Sequence, residues 1–293
     1  MTVQAIPYVL LSGLLFGTSL IASRFALNEF APVTFTGLRL ALASLGFLAL
    51  YVVGRRRNPW PSNRLLWRHA LLLGLVGTAL PILGTVLALQ FLSSGVTAML
   101  VTVGPAITVL LAHFLLKDEQ LTGRKIAGIL LALSGALMLA VRGESGLPTV
   151  VRAGPEGYLL IFGVMVCVGV STIYIRKYMD GYRIIDVSST QMFVAAILVF
   201  PVALYTTDLS TTETTWRGGA ALLYGSVAGT LFGLTIFNYN VKRFGATAAA
   251  MTQYVVPIVA AAGGIVMLGE RVTAPMLLGI TVIALGIGLI RVK

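Results

Sequence analysis

The chain has 293 residues, of which 57% are hydrophobic and only 11% charged, against about 25% charged in an average soluble domain. So little charge cannot cover a water-facing surface of this size. That excludes a nucleic-acid binder, a disordered regulator and, with Cys167 as the single cysteine, a disulfide-built secreted domain. The net charge of +11 would suggest nucleic acid in a soluble protein, but in a membrane protein it reports basic loops, so the placement of the charges is what counts.

A bilayer-spanning helix needs about 20 mostly apolar residues. Ten segments meet this requirement: 5–27, 32–53, 69–91, 95–116, 121–141, 158–178, 185–205, 219–241, 247–268 and 275–290. No basic residue precedes the first and no small-residue cleavage site follows it, so it is expected to be a retained helix rather than a secretory signal. Turn residues or charges mark the breaks, among them Asn28-Glu29, the Arg55–Arg57 run, Ser93–Gly95, Lys117–Glu119 and Glu270-Arg271. The breaks near Ala31 and Ser94 are short enough to join antiparallel neighbours. The longest weakly hydrophobic interval, residues 142–157, is expected to link a first unit, 1–141, to a second, 158–293.

Placing the second break in the cytoplasm puts fifteen Lys and Arg on that side and five on the other, with Arg39 left inside the second helix. This positive-inside bias predicts that both termini are cytoplasmic.

The two halves repeat. Gly95, Thr97 and Thr102 recur as Gly245, Thr247 and Thr252 at a spacing of 150. Glu119, Thr122, Gly128 and Gly135 recur as Glu270, Thr273, Gly279 and Gly286 at 151. Pro105 recurs as Pro257, and Gly77-Thr78 as Gly229-Thr230, at 152. The unit is five helices, an odd number, so the second copy must enter the membrane from the opposite side. This is the inverted-topology repeat of many secondary transporters.

With these residues the chain resembles the drug/metabolite transporter superfamily and, within it, the EamA family. The motifs are Ser94-Gly-Val-Thr-Ala98 followed by Pro105 and Leu115-Leu-Lys-Asp-Glu119, then Phe244-Gly-Ala-Thr-Ala248 followed by Pro257 and Leu268-Gly-Glu270. The resemblance covers essentially the whole chain. It implies an all-α membrane protein of ten transmembrane helices, a central cavity between the repeats and alternating access without ATP. It also implies a bacterial inner-membrane location. Among relatives it is most similar to bacterial amino-acid exporters, including the aromatic amino-acid branch.

Polar residues within spans mark places where chemistry could happen. No Asp or Glu lies mid-span, which disfavours a carboxylate that trades a proton for an organic cation. Arg39 is the one mid-span cation. It could receive a substrate carboxylate, or it could satisfy helix-end carbonyls and snorkel. Helical spacing gathers neutral polar groups into stripes, predicting a substrate cavity lined by Ser19, Thr78, Thr85, Thr102, Thr235, Asn238, Asn240, Met251, Gln253 and Tyr254. The alternative for Ser and Thr is close packing or interhelical hydrogen bonding. Pro81, Pro105 and Pro257 are read as hinges or kinks, each removing a backbone hydrogen bond. Glu119 and Glu270 occupy equivalent helix ends, where pairing with nearby Lys or Arg could latch a gate.

GxxxxGK[ST], HExxH and GxSxG are absent, and two separated histidines with one cysteine build no metal site. The expected protein is therefore not an enzyme and needs no cofactor. Its partners are a small-molecule substrate and the lipid bilayer, without nucleic acid, and it acts as a monomer. The reading is a secondary exporter of amino acids or similar small metabolites. Its rivals are an exporter of other amphipathic compounds or drugs, an intramembrane lipid-modifying enzyme and a structural scaffold.

Overall fold

The computed structural model describes residues 3–54, 58–115, 121–150, 152–206, 214–245 and 249–291. These residues form an all-helical membrane protein. Its ten helices are α1 (Ile6–Ala26), α2 (Pro32–Val53), α3 (Arg64–Ala88), α4 (Ser94–Leu115), α5 (Gly123–Arg142), α6 (Pro155–Tyr178), α7 (Ile184–Thr206), α8 (Trp216–Phe244), α9 (Thr252–Leu268) and α10 (Ala274–Arg291). The first eight are long and apolar enough to cross a bilayer, and α9 and α10 are shorter.

The helix ends follow local chemistry. Pro7, Pro32 and Pro155 sit in first turns, where a missing N–H costs nothing. Asn63, Ser93, Thr122 and Thr215 cap α3, α4, α5 and α8 by accepting from first-turn amides. Gly143 and Gly269 end α5 and α9 in left-handed conformations, with φ of 67° and 64°. Caps explain where the sequence expectation falls short. α3 starts at Arg64 because Asn63 supplies its cap, and α8 extends back to Trp216 because Thr215 supplies another.

Three helices are interrupted. α3 widens into a π-helical stretch at Leu75–Ala79, and α8 does so at Gly225–Phe232. The two stretches contain the repeat-related pairs Gly77-Thr78 and Gly229-Thr230. Pro81 stands two residues after the first stretch, where the wider turn relieves the clash of its ring with the carbonyl four residues earlier. α4 breaks at Thr102–Val103 into Ser94–Val101 and Gly104–Leu115. Pro105 thus stands in the first turn of the second segment, next to the break. Pro257 does lie inside its helix.

Helix packing obeys an exchange rule in which helix n takes the place of helix n+5. α1 packs on α8 and α9, and its counterpart α6 packs on α3 and α4. α3 packs on α7, and α8 on α2. The self-related pairs α2–α7, α4–α9 and α5–α10 also pack together. Five-helix halves related in this way are what an inverted repeat produces.

At the α2–α7 seam the Tyr51 hydroxyl donates to Asp186 Oδ1 at 2.9 Å and lies 2.8 Å from Ser189 Oγ. Tyr51→Phe is expected to cost about 1–2 kcal/mol, read as a fall of several degrees in the melting temperature of the detergent-purified protein. An unchanged melting temperature would show that the seam is held by apolar packing alone.

Candidate substrate cavity

Between the halves lies a cavity of about 180 Å³. At roughly 10–15 Å³ of such volume per water, this is room for about a dozen waters. Its wall draws on α1 to α4 of the first half and α6 to α9 of the second, and it is mostly apolar.

Among the described residues, Arg39 is the one charged side chain on that wall. It is 8% exposed. Its Nε donates to Thr230 Oγ1 at 2.5 Å, Nη1 to Ser23 Oγ at 2.9 Å and Nη2 to Ser19 Oγ at 2.9 Å. Two of these hydroxyls pass the polarisation on: Ser23 Oγ donates to Ser19 O at 2.7 Å, and Thr230 Oγ1 to Gly225 O at 2.9 Å. The Thr230 bond spans five residues, within the π-helical stretch that contains both groups. The widened turn thus aims a hydroxyl at the guanidinium. No carboxylate among the described residues lies within ion-pair distance of Arg39. Its charge is spread over hydroxyls on α1 and α8, neither snorkelling nor capping helix-end carbonyls, which corrects the structural alternative read from the sequence.

Close approach of backbone makes this possible. A Cβ built on Gly229 would lie 2.1 Å from Ser19 Oγ and 3.0 Å from Arg39 Nη2. Gly229→Val is therefore expected to displace the guanidinium from its cage and reduce transport at least tenfold. The twin Gly77→Val meets nothing nearer than Ser171 Cβ, at 3.0 Å, and should reduce it less. Equal rates for the two variants in proteoliposomes would remove Gly229 from the account.

The wall carries two further buried amides. Gln191 of α7 is 1% exposed and its Nε2 has no hydrogen-bond partner. Gln253 of α9 is 8% exposed and its Oε1 has none. Asn238 also lines the cavity, with Nδ2 donating to Ser188 Oγ at 3.0 Å.

Of the residues singled out in the sequence, Ser19, Arg39, Pro81, Thr85, Asn238 and Gln253 share this wall. The others lie off it. Thr78 is buried, with its Oγ1 unpartnered. Thr102 and Thr235 donate to their own helices, at Met99 O and Leu231 O. Asn240 turns to α1, donating to Tyr8 O and Ser12 Oγ. Tyr254 packs beside the core formed by α4, α5 and α6. Met251, Pro105 and Pro257 are also outside the cavity lining. Thr247 and Glu119 lie outside the described residues.

Glu270 attracts Arg24 electrostatically, as the expected pairing with a basic residue would have it, but its direct hydrogen bonds go elsewhere. It is buried and accepts from Ser94 N at 2.7 Å, Ser94 Oγ at 2.8 Å and Gly95 N at 3.1 Å, capping α4 from the opposite half. Sequence reasoning passed over Gln191, although it stands 152 residues after Arg39, as Ser171 does after Ser19 and Thr230 after Thr78. The repeat register was the signal. Among the described residues no group of three or more His, Cys, Asp or Glu gathers to hold a metal ion.

The EamA-like transporter family matches residues 3–141 and 155–292. An uncharacterized protein of Pseudomonas aeruginosa is 32% identical, with the alignment covering 92% of this chain and 88% of that one. The uncharacterized transporter YoaV of Bacillus subtilis is 22% identical over 94% of this chain and 92% of its own. An Escherichia coli protein named "Probable amino-acid metabolite efflux pump" is 24% identical over 95% and 91%. One solved crystal structure shares the fold with a TM-score of 0.69 at 18% identity, covering 99% of this chain and 98% of that one.

Proposed function

The chain belongs to the EamA-like transporter family, and we propose that it is a secondary transporter exporting amino acids, aromatic ones among them, or similar small metabolites. The observation that carries this reading is the cavity itself. It lies between two five-helix halves, is mostly apolar, and is lined by one guanidinium together with the amide-bearing residues Gln191, Asn238 and Gln253. Such a wall suits a small zwitterion with a variable apolar side chain. The E. coli relative named for amino-acid metabolite efflux supports the same direction.

Transport is proposed to proceed by rocking of the related halves, units 1–141 and 158–293, around the cavity. Both termini are proposed to lie in the cytoplasm of a bacterial cell, a reading the basic loops support, with the protein in the inner membrane and active as a monomer. The spans lack a central carboxylate, so facilitated diffusion or exchange is favoured over proton coupling.

Proteoliposomes loaded with labelled amino acids, with and without a pH gradient, test this. Saturable flux of at least one amino acid is expected, and it should not require the gradient. Flux of an amphipathic drug or a sugar with none of any amino acid would overturn the substrate assignment.

A further inference from the structure

A second hollow, of about 350 Å³, lies among α4, α5 and α6. Its floor is Leu100, Val103 and Ile107, on either side of the break in α4. α5 and α6 pack on α4 and form its walls. Ala136 and Ala140, one turn apart on α5, leave the room. The lining is apolar except for the Tyr158 hydroxyl, which joins the walls at one end by donating to Leu139 O at 3.1 Å and Glu144 O at 2.8 Å. At the rim Leu137, Leu159 and Phe162 are 62%, 68% and 53% exposed. All three helices are long and apolar enough to cross a bilayer, so this slot faces lipid.

Its dimensions suit one leaflet. From Tyr158 to Met165 on α6, and from Ala140 back to Leu133 on α5, it runs seven residues, about 10 Å of helix rise. One hydrocarbon leaflet is about 15 Å deep. The Tyr158 end lies close to the helix termini at Arg142 and Pro155, so the slot leads from headgroup level towards the midplane. Arg142, Arg152 and Glu156 are exposed beyond that end, while Glu144 accepts from Thr273 Oγ1 at 2.7 Å. Two cations against one exposed carboxylate favour a phosphate there.

The slot and the central cavity share one side chain, Met165. It is 3% exposed, and a Cβ built on Gly104 would lie 2.9 Å from its Sδ. On α4, Val101 lines the cavity while Leu100 and Val103 line the slot; on α6, Val164 and Ile161 divide in the same way. The broken turn of α4 and one turn of α6 thus separate bilayer from cavity. We propose that the slot seats one acyl chain of a bilayer phospholipid and that the seated chain holds Met165 in place as this partition. A thioether adapts to whatever packs against it. With a chain on its slot side Met165 keeps dispersion contacts on both faces, and without one it loses half of them and can swing. The seat goes beyond the transport reading and stands whatever the cavity carries.

Native mass spectrometry of the full-length protein, delipidated in detergent and titrated with dioleoyl-phosphatidylglycerol, tests the seat. One lipid is expected to bind at least tenfold more tightly than those that follow. Ala136→Trp, which fills the slot, should abolish this first step. Leu130→Trp, at a 62% exposed position of α5 outside the slot, should keep it. If Ala136→Trp does not fold, Ala140→Leu decides, with a first step severalfold weaker. Glycerophosphoglycerol, the headgroup without chains, should not compete. Equal successive steps, a first step indifferent to the slot variants, or competition by the headgroup alone would overturn the seat. The partition is tested in vesicles of dioleoyl-phosphatidylglycerol and dioleoyl-phosphatidylethanolamine, with Ser171→Cys on the cavity wall in a Cys167→Ser background. Met165→Ala should speed labelling by bilayer-soluble N-phenylmaleimide at least tenfold and leave labelling by a sulfonated maleimide unchanged. Equal acceleration of both reagents, or of neither, would overturn the partition.

Discussion

Gly286→Leu is expected to abolish recovery of a monodisperse protein, while Gly288→Leu, two residues further along α10, is expected to change nothing. A Cβ on Gly286 would lie 2.5 Å from Ala132 N and 2.6 Å from Gly128 O, and one on Gly128 would lie 2.4 Å from Gly286 O. These are backbone atoms, so no rotamer change can make room, and α5 and α10 would have to separate. Separation also opens the second crossing, where a Cβ on Gly135 would meet Gly279 O at 3.0 Å. Overpacking a core costs about 1–3 kcal/mol. Prising two helices apart along two crossings should reach or exceed the top of that range, because membrane helices associate through such close packing. Gly288 has nothing within 4 Å of its would-be Cβ. Size-exclusion profiles of both variants after identical extraction check this. Comparable profiles would mean that the α5–α10 crossing does not hold the fold. Neither helix lines the cavity, so any Gly286→Ala protein that survives should bind cargo with unaltered affinity.

The ten helices could be read from the sequence because each is a long apolar run between charges or turn residues, a signal that needs no tertiary context. The repeat could be read because glycines, prolines and the Glu119/Glu270 pair recur at a nearly fixed offset. The cavity could be read only in part, and the reason is phase. A stripe drawn at 3.6 residues per turn assumes an uninterrupted α-helix. In α8 the π-helical stretch rotates the rest of the helix relative to its start, so Thr230, Leu234 and Phe237 join Asn238 on the wall and Thr235 leaves it. In α9 the helix restarts after Met251, and the inward face carries Thr252, Gln253 and Val256 in place of Met251, Tyr254 and Pro257. Gln191 escaped for another reason. A neutral amide attracts less notice than a mid-span cation, and only the offset from Arg39 reveals it as that cation's counterpart.

The remaining large effect concerns how the halves are fastened. Glu270→Ala is expected to loosen one face of the protein, the face opposite the start of α3, where Arg64 and Arg68 lie. The Glu270 carboxylate joins α9–α10 to the start of α4 through three donors on Ser94 and Gly95. Arg271 N donates to Gly146 O beside it, at 2.9 Å. On the same face Glu29 fastens the opposite pair of elements, accepting from Thr215 N at 2.9 Å and Thr215 Oγ1 at 2.7 Å at the start of α8. Each carboxylate crosses from one half to the other onto a helix N-terminus, where its charge also meets the helix dipole. The repeat predicts the same fastening at the other face between Asp180 and Asn63. There Asn63 instead caps its own helix, through Leu65 N and Leu66 N. Among the described residues, the Glu29 fastening is therefore present at one face and absent from the other, the asymmetry required if the halves rock between two states that exchange these bonds. Loss of the Glu270 contacts should remove about 3 kcal/mol from the bolted state, shifting the equilibrium by up to about a hundredfold. In a Cys167→Ser background, Val96→Cys, buried at 1% exposure in the parent, should be labelled by a membrane-impermeant maleimide at least tenfold faster once Glu270 is alanine, and faster still with Glu29→Ala added. Glu156→Ala removes an exposed carboxylate near that face and should leave the rate unchanged. If Glu270→Ala and Glu156→Ala label at the same rate while both retain the parent's sizing profile, the carboxylate cap is packing and not a bolt.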